Sequence, residues 1–265
     1  MRLLDIFPIP RRYERVPGTL AFTLTAAMAI LYFVERTALA AGLLAGSAVL
    51  LLLVYLLRFR QRKEWRCFFE DENRRLLAMR GAGGPARYIP EQRKVLASLR
   101  NPELRLTARL NLSTALLAGA DPAGALEELA PLAPAKMPNP TLRLVYWTQL
   151  LGAFLQLEDL EQAETAYQAA MDILPEVSDM LKISFMPTEI QYRLLRGEYK
   201  LALDQLGELP DKDLDEAGKD LLLTLRIAAL RGVGAVEKAE KLTAQIQEHD
   251  MLPSTRALLR RAATL

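Results

Sequence analysis

One cysteine and one histidine in 265 residues leave little for redox or metal chemistry. Cys67 has no second thiol to pair with, and Cys67 with His249 falls short of the three or four N/S ligands of a zinc site. Both read as structural or surface residues, lipidation of Cys67 being the rarer alternative. Catalytic signatures are missing as well: there is no HExxH, GxSxG, phosphate-binding P-loop or CxxC. The carboxylates Glu127 and Glu128, and Asp211, Asp213 and Asp215, have no histidine, cysteine or glycine-rich loop beside them and read as solubilising groups. No catalytic residue, metal or cofactor is expected. Strong net charge is lacking too, at +2 overall. That balance conceals a split. Residues 1–80 hold 13 Lys and Arg against 7 Asp and Glu, or +6, whereas the remainder holds 21 against 25, or −4. Only the N-terminal part is basic, which disfavours nucleic acid as a partner.

What is abundant is apolar sequence, at 51% of residues. The opening stretch to Gly18 carries Arg2, Arg11, Arg12 and Arg15, and Pro8, Pro10 and Pro17 forbid a continuous helix there. Gly18–Val34 is then 17 residues without a charge, and Ala38–Leu57 is 20 more. Both lengths suit a bilayer span. The nine leucines of the second contribute about −3 to −5 kcal/mol toward insertion. Only Glu35, Arg36 and Thr37 separate the two, so a tight transmembrane hairpin is expected over about 18–34 and 38–57. Arg58, Arg60, Arg62, Lys63 and Arg66 come directly after it, against Arg36 alone in the turn, which places both termini in the cytoplasm. A cleaved signal peptide is the rival, on the A-x-A run at Ala38–Ala40, but cleavage would leave a chain beginning inside the second span. Ala38, Gly42 and Gly46, spaced by four, permit close helix contact, either within the hairpin or between copies in a homo-oligomer. Residues 58–80 extend this membrane anchor as an interfacial helix, with Trp65, Phe68 and Phe69 at the water boundary beside arginines that meet lipid headgroups. Glu70, Asp71 and Glu72 read as a solvated face. GAGGPARYIP at 81–90 reads as a loop, and a short helix is expected at about 91–100, so that 81–101 separates the anchor from the C-terminal part of the chain.

From 102 onward the pattern is helical, with Asn101-Pro102, Asp121-Pro122 and Asn139-Pro140 each supplying an N-cap and a proline at the first helical position. PLAPAKMPNP at 131–140 cannot be helical throughout. Pro187 predicts a kink or a late start for the helix around it, and Ser254 predicts a cap for a last helix that closes the array as a polar terminal cap. The segment 144–175 reads as two amphipathic helices. Counting from Leu144, Trp147 is at position 4, Leu150 at 7, Leu151 at 8, Phe154 at 11, Ala163 at 20, Tyr167 at 24, Ala170 at 27 and Pro175 at 32. Alanines 125, 163, 202 and 239 head similar second helices at spacings of 38, 39 and 37 residues.

This pattern resembles the tetratricopeptide repeat, whose period is roughly 34 residues, over about 102–250. The resemblance implies an all-α chain with a helical-repeat (α-solenoid) domain at 102–265, whose first helices line a concave groove. Groove positions 2, 5, 9 and 12 become Val145, Thr148, Gly152 and Leu155 in one unit and Leu221, Thr224, Ala228 and Arg231 in another. The family's carboxylate-gripping Lys and Asn are absent from these places, so that ligand does not transfer. The expected function is a membrane-anchored cytoplasmic scaffold binding a protein or peptide segment in its groove. A structural membrane protein acting by self-association and a regulatory subunit of a membrane enzyme are the alternatives. The lack of eukaryotic sorting signals points to a bacterial cell membrane.

Overall fold

The computed structural model describes residues 37–79, 84–137, 139–209, 214–246 and 251–264, with the side chains at 37–45, 48, 57, 58, 61, 77 and 78 outside that description. Every regular element among these residues is helical. By contacts the chain divides into two units, Met1–Asn73 and Arg74–Leu265.

The expected first span at 18–34 lies outside the described residues. The second lies on α1, Thr37–Ala78, one helix of 42 residues that carries the apolar stretch and the basic segment after it without a break. No helix among the described residues is long and apolar enough to cross a membrane, and half of the expected span, 38–45 with 48 and 57, has its side chains outside the description. Where they are described, Val49, Leu50, Leu51, Leu52, Leu53, Tyr55, Leu56 and Phe59 are all exposed. Trp65, Phe68 and Phe69 depart from expectation: they are buried rather than at a water boundary, with Phe69 5.4 Å from each of the other two rings. Large rings gain more from packing on each other than from a half-wet position. Glu70 and Asp71 are exposed as read, but Glu72 is wholly buried.

The second unit begins with a correction. The expected loop at 81–90 is helical from Gly84, because α2 spans Gly84–Ser98 with Pro90 inside it. Tyr88, Gln92 and Leu96, spaced by four, are buried, and Gln92 donates from Nε2 to the Ala108 carbonyl at 3.2 Å. That tertiary burial outweighs the hydrogen bond lost at proline.

Four helix pairs come next: α3 and α4 (Pro102–Ala118, Pro122–Leu129), α5 and α6 (Pro140–Leu157, Leu160–Ile173), α7 and α8 (Asp179–Leu195, Tyr199–Glu208), and α9 and α10 (Glu216–Gly232, Val236–Thr243). Each pair packs on itself, and the first helices stack in order, α3 on α5, α5 on α7 and α7 on α9. The three expected N-caps form: Asn101 accepts from the Glu103 amide, Asp121 from Gly124 and Asn139 from Leu142, at 2.9, 2.9 and 2.8 Å. In the 131–140 segment the described residues before Pro140, where α5 starts, form a 3₁₀ turn at Pro134–Lys136. Around Pro187 there is no late start, since α7 runs from Asp179 to Leu195 through the proline.

The four pairs share one turn. Ala120, Glu158, Gly197 and Gly234 are left-handed, with φ of 60°, 60°, 76° and 80°. At each, the next residue's amide bonds the carbonyl five back: Asp121 to Leu116, Asp159 to Phe154, Glu198 to Arg193 and Ala235 to Leu230, at 2.8–3.0 Å. This is the hydrogen-bonding of a Schellman helix end. Five residues past each left-handed residue stands one of the wholly buried alanines, 125, 163, 202 and 239. A side chain without γ-atoms is what lets the second helix lie close on the first.

The last helix, α11 (Pro253–Ala262), does not end the array as a cap. It packs on α9 and also reaches α3, so it crosses the face made by the first helices. Thr255, Leu259 and Ala262 are its buried side, joined in the core by Met251. Ser254 does not cap it, because the helix begins at Pro253, two residues before the start a Ser254 cap would give; Leu252 is the N-cap residue and makes no side-chain bond.

Candidate functional site

A cavity of about 980 Å³ lies on the first-helix face of the second unit. Helix α5 contributes Val145, Thr148, Gly152 and Leu155, at the 3–4 residue spacing of a helix face. Val145, Thr148 and Gly152 are half-buried, while Leu155 is buried. Thr148 directs its hydroxyl to the Leu144 carbonyl at 2.8 Å. At Gly152 a side-chain carbon would meet only Leu117 Cδ1, at 3.5 Å, which leaves the middle of the channel open.

The other candidate positions divide. Leu221 and Ala228 of α9 line the same cavity, but Thr224 and Arg231 do not. Thr224 is wholly buried, its hydroxyl donating to the Asp220 carbonyl at 2.7 Å, because α9 has neighbours in α7, α8, α10 and α11. Arg231 reaches the Ala262 carbonyl of α11 at 3.2 Å instead of facing a ligand. Of the expected membrane contacts, the side chains of Ala38 and Gly42 lie outside the described residues. Gly46 is exposed, with nothing within 4 Å of a side-chain carbon built there.

Sequence reasoning missed two walls. Ser184, Thr188 and Gln191 line the channel from α7, and Ala257, Leu258 and Arg261 from α11. The first group had a usable signal: counting back 19 residues from Ala202, as from Ala163, puts positions 2, 9 and 12 at Ser184, Gln191 and Leu194. Position 5 falls on Pro187, the residue that made this helix look irregular. For α11 no sequence signal places a helix across the face of the others.

Glutamines fix the spacing of the walls. Gln149 donates from Nε2 to the Leu110 carbonyl at 2.8 Å and to Thr114 Oγ1 at 2.7 Å, and Gln156 donates to the Leu117 carbonyl at 3.0 Å, tying α5 to α3. Among the described residues the charged lining residues are Glu158, Asp215 and Arg261. Asp215 is engaged as the N-cap of α9, accepting from the Gly218 amide at 2.9 Å.

A second polar cluster joins α6 to α7 and the residue after it. Tyr167 stacks on Tyr192 with centroids 4.3 Å apart and donates to Glu189 at 3.1 Å. Tyr192 donates to Glu164, and Arg196 bonds both. Burial first, then the Glu189 carboxylate, pushes the Tyr167 phenol up to about 12. Glu164 moves the other way, held below the ordinary carboxylate range by the Tyr192 hydrogen bond. These residues join neighbouring helix pairs. Among the described residues no group of three or more His, Cys, Asp or Glu side chains is placed to hold a metal. Comparison with family models, curated proteins and solved structures gives no match.

Proposed function

We propose that the chain is a membrane-anchored scaffold of tetratricopeptide type, which holds a protein segment in the channel along its first helices. The observation that carries this reading is the channel itself. Six of the eight expected groove residues line it, between walls of mainly small and apolar side chains. Such a lining gains affinity from apolar burial and shape, which suits a segment of another protein more than a small charged substrate. The repeated turn and the four buried alanines support the family reading. For the anchor, support comes from 20 uncharged residues that belong to a helix, with Val49, Leu50, Leu51, Leu52, Leu53, Tyr55 and Leu56 exposed. Exposed apolar surface on that scale calls for lipid or another protein to cover it. The flanking arginines set both termini in the cytoplasm.

A photoreactive amino acid at Thr148 or at Ser184, in the membranes of the producing cell, should crosslink a second polypeptide. The same group at Gln168, an exposed residue on the α6 surface, should not. Equal crosslinking from all three positions, or crosslinking from Gln168 alone, would remove the channel from the proposal.

A second reading, self-association through the anchor, is favoured by the open position at Gly46. In that case the crosslinked species would be the chain itself, formed from the Ala38, Gly42 and Gly46 face and not from Thr148.

A further inference from the structure

Arg261 holds a corner of the channel that is built for a cation. Its Nη1 donates to the Leu155 carbonyl at 3.2 Å, its Nη2 to the Gln156 carbonyl, and its Nε lies 3.0 Å from Glu158 Oε1. The two carbonyls belong to the last turn of α5, where the helix dipole is negative; the Leu155 carbonyl also accepts from the Glu158 amide, at 3.3 Å, and has a second lone pair for the guanidinium. Glu158, the left-handed residue that ends α5, adds a full negative charge. Both side chains of the pair are substantially exposed, at 42% and 58%, so water competes for the contact and it opens at little cost. Helix α11 stays anchored meanwhile, since Leu259, Ala262 and Met251 belong to the core of the third and fourth pairs. With Arg261 swung out, the charged groups that line the channel among the described residues are Glu158 and Asp215, both acidic.

We infer that the channel's ligand is a peptide segment carrying an arginine or lysine, which takes the corner that Arg261 holds, so that Arg261 acts as a built-in competitor. This rests on the proposal that the channel binds a protein segment, and adds the charge that segment carries and the way its entry is controlled. A guanidinium satisfies the fork of carbonyls and carboxylate best, and an ammonium does so as a point charge.

The test selects a random heptapeptide library on the full chain in detergent. Three forms are used: wild type, Arg261→Ala, and Arg261→Ala with Glu158→Ala. Arg261→Gln replaces Arg261→Ala should the latter lose its helical circular dichroism. Selection on Arg261→Ala should enrich Arg or Lys at one position. The selected peptide should bind that form at least tenfold more tightly than wild type, and should lose its preference for arginine over citrulline when Glu158 is also removed. Enrichment without a basic residue, no enrichment at all, or equal affinity for wild type and Arg261→Ala would each overturn the inference. A positive result here, together with a partner in cells that crosslinks away from the channel, would instead leave the corner intact and fail the scaffold reading.

Discussion

Ala120 and Glu158 occupy the same left-handed turn position that glycine fills at 197 and 234. An L side chain there crowds the following carbonyl, at a cost of about 1–2 kcal/mol that glycine avoids. Ala120→Gly should therefore raise stability by about 1 kcal/mol, while Gly197→Ala should lower it by a similar amount, as read from the denaturant midpoint. Shifts of the same sign for both would contradict the shared turn. Tyr167 gives a pH signature. Its folded value, about 12, lies above the ordinary 10. Its contribution to stability is complete below pH 10 and is lost as pH rises toward 12, because the unfolded chain ionises first. Tyr167→Phe should flatten the fall in stability across that window. An unchanged slope would mean that the phenol is not held neutral in the folded state.

At the scale of the element, caps directly before a proline were legible, whereas the cap expected at Ser254 does not form and proline inside a helix was misleading. Asn101, Asp121 and Asn139 stand before prolines and their side-chain oxygens meet free amides, which is local chemistry that a sequence carries on its face. Pro90 and Pro187 break the same local rules and yet sit inside helices. What decides those cases is burial made by distant residues. Phe185, Ile190, Tyr192 and Leu194 are buried along α7, and their packing holds the helix through a residue that gives it no amide hydrogen. Pro187→Ala should thus stabilise the second unit by up to about 3 kcal/mol, seen as a higher melting temperature. A lower melting temperature would show that the proline shapes the helix for its neighbours. Gly232 reports the same dependence on distant partners. A side-chain carbon there would overlap the Tyr199 ring, a contact between α9 and the start of α8 that spacing alone does not reveal.

For the whole molecule, the sequence showed the inner and outer helices because a buried alanine recurs at nearly constant spacing. It could not show α11 crossing the inner face, because Arg261 meets Leu155 across 106 positions through a side chain that reads locally as a surface charge. The result is a walled channel where an open groove was expected. Occupation of that channel is the central claim, and the most direct measurement compares two charge changes of equal size in the full chain. Gly152→Arg places bulk and an unpaired charge in the middle of the channel, where only Leu117 stands near, whereas Gln168→Arg alters an exposed position on α6. Desolvating an unpaired guanidinium costs several kcal/mol, about a hundredfold or more in affinity. With the crosslinked partner in hand, its affinity should fall by that factor for Gly152→Arg and stay within about twofold of wild type for Gln168→Arg, both variants keeping helical circular dichroism. Normal binding to Gly152→Arg would contradict the channel as the site of function.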